Sequence, residues 1–174
     1  MPSPLGHALA GLTVHLLTAR DRADVLRGAR AFTIVAAALA PDLDLLLKYV
    51  DGQNHHQGAS HSLGAALLAG LVVSLVGAWR RDERPVWMGL LAMMGWGSHV
   101  LLDYLGRDTH PPIGLLALWP VADGYYKFPW PVFLDIGRSF EWTAILHNSI
   151  AVAWELVILL PIPALLLRRR LRAA

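Results

Sequence analysis

The sequence predicts an all-α fold, a polytopic membrane helix bundle of about five spans, and three observations carry the prediction. Of 174 residues, 55% are hydrophobic and only 16% are charged, a balance too apolar for an ordinary soluble domain of this length. The hydropathy gathers into five stretches, most of which approach the ~20 residues needed to cross a hydrocarbon core. Arginines follow the first, third and fifth stretches: Arg20, Arg22, Arg27 and Arg30; Arg80, Arg81 and Arg84; and Arg168, Arg169, Arg170 and Arg172. The positive-inside rule assigns all three clusters to the cytoplasm, and a five-span chain with its N-terminus outside satisfies that assignment at once. Residues 1–174 therefore read as one integral domain of the cytoplasmic (inner) membrane, with an extracytoplasmic N-terminus and a cytoplasmic C-terminus.

The first span, Leu5 to Ala19, has 15 residues and needs local thinning or tilt to cross. It lacks a basic leader and a small-residue cleavage site, so it is expected to remain as a helix. The second runs from Ala31 to Val50. Pro41 removes a backbone donor there and is expected to push Ala40 out of helical geometry, kinking the chain before Asp42. In an unbroken helix Asp42 and Asp44 point about 200° apart, so such a distortion is needed to aim both inward. Ahead of the third stretch, Ser62 to Trp79, Gly58 permits a tight turn between His56 and His61, and Ser60 is placed to cap a helix that His61 begins. The fourth span, Pro85 to Gly106, carries His99 and Asp103 one turn apart on one face. Residues 107–142 contain five prolines with Trp119, Tyr125, Tyr126, Phe128, Trp130 and Trp142, the composition of an extracytoplasmic interfacial loop or lid. The fifth span, Thr143 to Leu167, includes His147 and Glu155.

In this topology seven metal-competent side chains, His7, Asp42, Asp44, His56, His61, His99 and Asp103, come from four spans to one level of the outer face. Placing an imidazole or carboxylate at the edge of hydrocarbon costs several kcal/mol, roughly, unless an ion compensates it. The absence of cysteine excludes thiolate zinc sites, iron–sulfur clusters and disulfides. Mixed His and Asp donors suit Zn²⁺, and also Mn²⁺ or Fe²⁺; the surplus of ligands suits about one to three ions sharing carboxylates. Water activated by such ions attacks an ester or phosphoester, with one aspartate, Asp42 or Asp44, as general base. Ordinary structural roles compete with this reading. Asp44 has Lys48 one turn away, and His55 shows that not every histidine here need be a ligand. His147 reads as a helix cap and Glu155 as a hydrogen bond between spans; His15 and His110 take no assignment.

Together His7, Pro41-Asp42-Leu-Asp44, His56-Gln-Gly-Ala-Ser-His61-Ser62, His99-Val-Leu-Leu-Asp103 and Leu118-Trp119-Pro120 resemble the bacterial and archaeal YdjM-like group of membrane-bound, predicted metal-dependent hydrolases. The usual pattern of that group is PDxD, HRGxTHS and HxxxD, in this order. Gln57 stands where the arginine is usual and Ser60 where the threonine is; the hydroxyl is kept, while a cation suited to an anionic substrate is lost. The resemblance implies a distant similarity to zinc-dependent phospholipase C, hence a helical site and a lipid-like ester substrate.

The leading expectation is a membrane-embedded hydrolase acting on a lipid or phospholipid ester at the outer face. A metal transporter or sensor is the first alternative, although transport favours acidic groups at mid-membrane, where only Glu155 qualifies. A non-catalytic interaction protein is the second, packing its glycine- and alanine-rich spans on partners or in an oligomer. No nucleic-acid partner is expected, since each arginine cluster abuts a span and none is interleaved with exposed aromatics.

Overall fold

The structure, a computed structural model, describes residues 1–172. Its regular elements are helical: α1 (Pro4–Thr18), α2 (Arg22–Leu26), α3 (Gly28–Leu39), α4 (Lys48–Asp51), α5 (Leu63–Trp79), α6 (Pro85–Leu105), α7 (Trp142–Leu159) and α8 (Pro161–Arg172). Short 3₁₀ segments occupy Ala40–Leu46 and Ala59–His61. Two helical lengths are long and apolar enough to cross a membrane, Pro85–Leu105 and the nearly continuous Trp142–Arg172, and the apolar helix Leu63–Trp79 is shorter.

Helices α1, α3 and α6 pack around one another, α5 pairs with α6, and α7 and α8 lie against α1. The α3–α6 approach depends on Gly95, where an added Cβ would stand 2.5 Å from the Ile34 carbonyl oxygen. One turn further along both helices, His99 Nδ1 donates to the Ala38 carbonyl at 2.8 Å. The two contacts advance in step, i to i+4 on each helix, so close packing at the glycine sets the reach of the histidine. At the other end of α1, the buried Arg30 guanidinium donates to the His15 carbonyl at 2.8 Å and to the Thr18 hydroxyl at 2.6 Å. His15 is thus structural: its Nδ1 lies 2.7 Å from Arg30 and its Nε2 3.1 Å from the Val25 carbonyl.

The second apolar stretch departs from the expected kinked span. Ala40 keeps right-handed helical dihedrals (φ −63°, ψ −33°), and the chain tightens into 3₁₀ pitch across Pro41 instead of leaving helical geometry. That pitch turns about 120° per residue, so the rotation of about 200° between Asp42 and Asp44, or about 160° the shorter way round, becomes about 240°, or about 120° the shorter way. The 52–62 loop differs in detail too. Gln57, not Gly58, takes the left-handed conformation (φ 65°), while Gly58 is needed because a Cβ there would lie 2.9 Å from the His55 carbonyl oxygen. Ser62, not Ser60, caps α5, accepting from Ala65 N at 3.0 Å.

Residues 107–141 lie across this loop without regular strands. Leu116 N donates to the Gln57 carbonyl at 3.0 Å, and Leu63 N to the Ala117 carbonyl at 2.9 Å. Isolated bridges join Gly106 to Phe133 and Leu115 to Tyr126. Trp130, Phe140 and Trp142 remain exposed.

Candidate metal centre

Each ligand-bearing element reaches the site for a local reason. Ser3 caps α1 by accepting from Gly6 N at 3.2 Å, and His7 follows one turn later. Glu155 fixes that cap from α7, its carboxylate accepting from Ser3 N at 2.7 Å and from the Ser3 hydroxyl. The 3₁₀ segment after α3 supplies Asp42 and Asp44, the 52–62 loop supplies His56 and His61, and the last two turns of α6 supply His99 and Asp103.

All seven residues meet, in two layers. In the inner layer, the Asp103 side chain is wholly buried. Its Oδ2 lies 3.2 Å from both His61 Nε2 and His99 Nε2, and its Oδ1 lies 3.4 Å from His7 Nε2. Asp42 Oδ1 stands 3.6 Å from both His61 Nε2 and His99 Nε2. The His7 and His99 rings stack with centroids 3.7 Å apart. Asp44 forms the layer behind: it accepts from His56 Nδ1 at 2.7 Å and from the Ser60 hydroxyl, and His61 Nδ1 is 3.1 Å from its Oδ2. No Asp44–Lys48 ion pair forms among the described residues.

These hydrogen bonds fix the ring tautomers. His99 commits its Nδ1–H to Ala38, and His56 commits its own to Asp44; His61 directs Nδ1 toward Asp44 and Ser60. The Nε2 atoms therefore carry lone pairs, as in carboxylate- or carbonyl-oriented histidine ligands. His61 Nε2, His99 Nε2, both ring nitrogens of His7 and both oxygens of Asp103 are buried with no hydrogen-bond partner. Lone pairs facing a carboxylate at 3.2 Å repel unless a cation or a proton lies between them. Protons on both His7 and His99 are a poor solution, since two imidazolium rings stacked at 3.7 Å in a water-poor interior repel strongly.

The donor set fits a divalent ion. With Zn–N and Zn–O bonds of about 2.0–2.1 Å, the edges of a tetrahedron are about 3.3 Å long. The four histidine-to-aspartate edges that join His61 and His99 to Asp42 and Asp103 measure 3.2 to 3.6 Å. His7 and the second Asp103 oxygen extend the set toward another ion. Two groups, His7–His99–Asp103 and Asp42–His56–His61, each place one ligand atom per residue within 4.8 Å of the others.

Sequence reasoning missed Ser60 as a partner of Asp44, and it missed Trp96, whose Nε1 donates to the Ser60 carbonyl at 2.8 Å and holds the loop on α6. The signal for Trp96 is its spacing, three residues before His99 and on the same helical face. His147 lies outside the centre, 2.9 Å from the Asp135 carbonyl, and His55 pairs with Asp51 at 2.5 Å. The His110 ring lies away from the centre, its Nδ1 3.3 Å from the Thr109 hydroxyl. Beside the centre opens a cavity of about 300 Å³, lined by Asn54, His55, His56, Ser60 and Tyr125 among others.

A protein-family model described as YdjM inner membrane protein matches residues 1–171. No curated protein and no solved structure matches the chain.

Proposed function

The chain belongs to the YdjM inner membrane protein family, and we propose that it is a membrane-embedded, metal-dependent hydrolase of a lipid or phospholipid ester at the outer face. The observation that carries the proposal is the convergence of partnerless, buried nitrogen and oxygen atoms of His7, His61, His99 and Asp103. A divalent ion, with Zn²⁺ favoured by the donor set, supplies Lewis acidity and lowers the pKa of water toward neutrality. His61, His99 and Asp103 would hold it with Asp42 on the exposed side, His7 would extend the set toward another ion, and His56 would add a further nitrogen on the side of the neighbouring cavity.

The two remaining aspartates divide the other work. Both Asp44 oxygens are engaged by His56, Ser60 and His61, so Asp44 orients the two histidines. The Asp42 side chain is 22% exposed and offers its carboxylate to solvent, which suits it to accept a proton from attacking water and pass it outward. The cavity beside His56 and Ser60 offers an ester group a place next to the centre, and the exposed aromatics of residues 107–142 suit a loop resting in the headgroup region, where a lipid substrate enters. The transporter reading weakens for a specific reason: Glu155 is occupied by Ser3 at the start of α1.

The test is incubation of the Zn²⁺-loaded protein with phospholipid vesicles and, separately, with a polyprenyl phosphate. The expected result is a cleaved product whose release stops on chelation and in His99→Ala. Absence of product from every lipid offered, alongside Zn²⁺ flux in proteoliposomes, would replace hydrolysis by transport.

A further inference from the structure

Away from the metal centre, α7 carries a second feature. A groove of about 670 Å³ runs down one face of the helix, lined by Ile145, Val152, Ala153 and Leu156, with Arg138 and Phe140 at its upper end. Ile145, Ser149, Val152 and Leu156 recur at i, i+4, i+7 and i+11, a single helical stripe about 16 Å long. That length is about half of a ~30 Å hydrocarbon core, the depth of one leaflet.

The upper end is built and charged. Gly137 N donates to Asn148 Oδ1 at 2.7 Å, and Asn148 Nδ2 returns a bond to the Gly137 carbonyl at 2.9 Å, which fixes the loop against the first turns of α7. The next residue, Arg138, is exposed and has no carboxylate within 4.0 Å among the described residues. The nearby Glu141 does not line the groove. Phe140, 97% exposed, and Trp142, 76% exposed, mark the same level as the membrane interface.

We infer that this groove seats one anionic phospholipid of the leaflet at the N-terminal end of α7, its phosphate on Arg138 and an acyl chain along the Ile145–Leu156 stripe. The polarity profile selects this occupant: a lone cation at headgroup level stands above an apolar track one leaflet deep. A second copy of the chain fits less well, because a two-fold pairing of α7 about the membrane normal would bring two Arg138 cations to the same level. The site is independent of the hydrolase reading, since no ligand of the metal centre lines it.

The experiment uses the full chain in phosphatidylcholine nanodiscs doped with a phosphatidylglycerol that carries a photoactivatable group on its acyl chain, with labelled peptides mapped by mass spectrometry. Labelling is expected to concentrate on residues 145–156, several-fold above the equally lipid-exposed face of α5. Ala153→Phe, at an exposed position, should fill the groove and remove the labelling, while Arg138→Gln should abolish the advantage of phosphatidylglycerol over a matching phosphatidylcholine probe. Equal labelling of α5 and α7, labelling indifferent to Ala153→Phe, or α7–α7 cross-links in place of lipid adducts would overturn the inference. Unchanged helical circular dichroism in both variants excludes misfolding as the cause of a loss.

Discussion

Among single residues, the two carboxylates of the Asp42-Leu-Asp44 run separate by what touches them. Asp44→Asn keeps the volume but weakens the acceptor that orients His56 and His61, and the expected result is metal affinity lower by about 10–100-fold. Asp42→Asn should leave most of the metal in place and cut turnover by about 10²–10⁴-fold, the range of a lost proton acceptor. Metal titration followed by lipid hydrolysis on the two variants reads the difference, and equal losses in both measurements would remove the division of roles. The membership of the cluster was legible in the sequence because imidazoles and carboxylates are costly at the ends of apolar stretches unless they converge on compensating partners. Its layering was not, since nothing in the spacing of Asp42 and Asp44 says which one Ser60 will engage. The same limit applies to Ala38, whose carbonyl orients His99 although its side chain offers no chemistry at all.

Among the elements, the centre depends on how closely α3 and α6 approach and on how α1 is held at its start. Gly95→Val forces side-chain atoms against the Ile34 carbonyl and is expected to cost about 1–3 kcal/mol of stability. It should also lower metal occupancy by separating His99 from Ala38, with thermal melts and metal content recorded on the same preparation. Glu155→Ala leaves the buried Ser3 amide and hydroxyl without their acceptor, a loss of about 1–3 kcal/mol. Glu155→Gln, which keeps a carbonyl oxygen facing Ser3, should recover part of it, and no difference between the two variants would mean that Glu155 does not anchor α1. The sequence pointed to Glu155 as a hydrogen bond between spans, and from α7 it bonds the Ser3 cap of α1, because a lone carboxylate in an apolar helix must find a donor. It pointed to a kink at Pro41 but not to the 3₁₀ segment. Proline removes one donor, yet whether the chain leaves the helix or tightens it depends on tertiary contacts such as those of His56 and Ser60 to Asp44.

Across the molecule, the all-α character followed from composition, and the number of crossings is the part that sequence length handles least well. Helix α1 is about 22 Å long and α3 about 18 Å, both short of a ~30 Å core, whereas α6 and the α7–α8 length are long enough. The arginine distribution still predicts one orientation, and the cysteine-free chain makes it easy to test. Phe140→Cys should react with a membrane-impermeant thiol reagent added outside, and Arg81→Cys only after the inner membrane is breached; the opposite pattern would invert the topology. Because an ion bound only by the folded bundle stabilises it in proportion to RT ln(1 + [L]/Kd), chelation should lower the melting temperature of the wild type and leave that of Asp103→Ala unmoved. The decisive quantity is the metal content of the purified protein, wild type beside Asp103→Ala, by elemental mass spectrometry. A metal centre built on these residues predicts stoichiometric divalent metal, about one to three ions per chain, in the wild type and its loss from the variant. A folded wild-type protein that binds no divalent metal after incubation with Zn²⁺, Mn²⁺ or Fe²⁺ would contradict it.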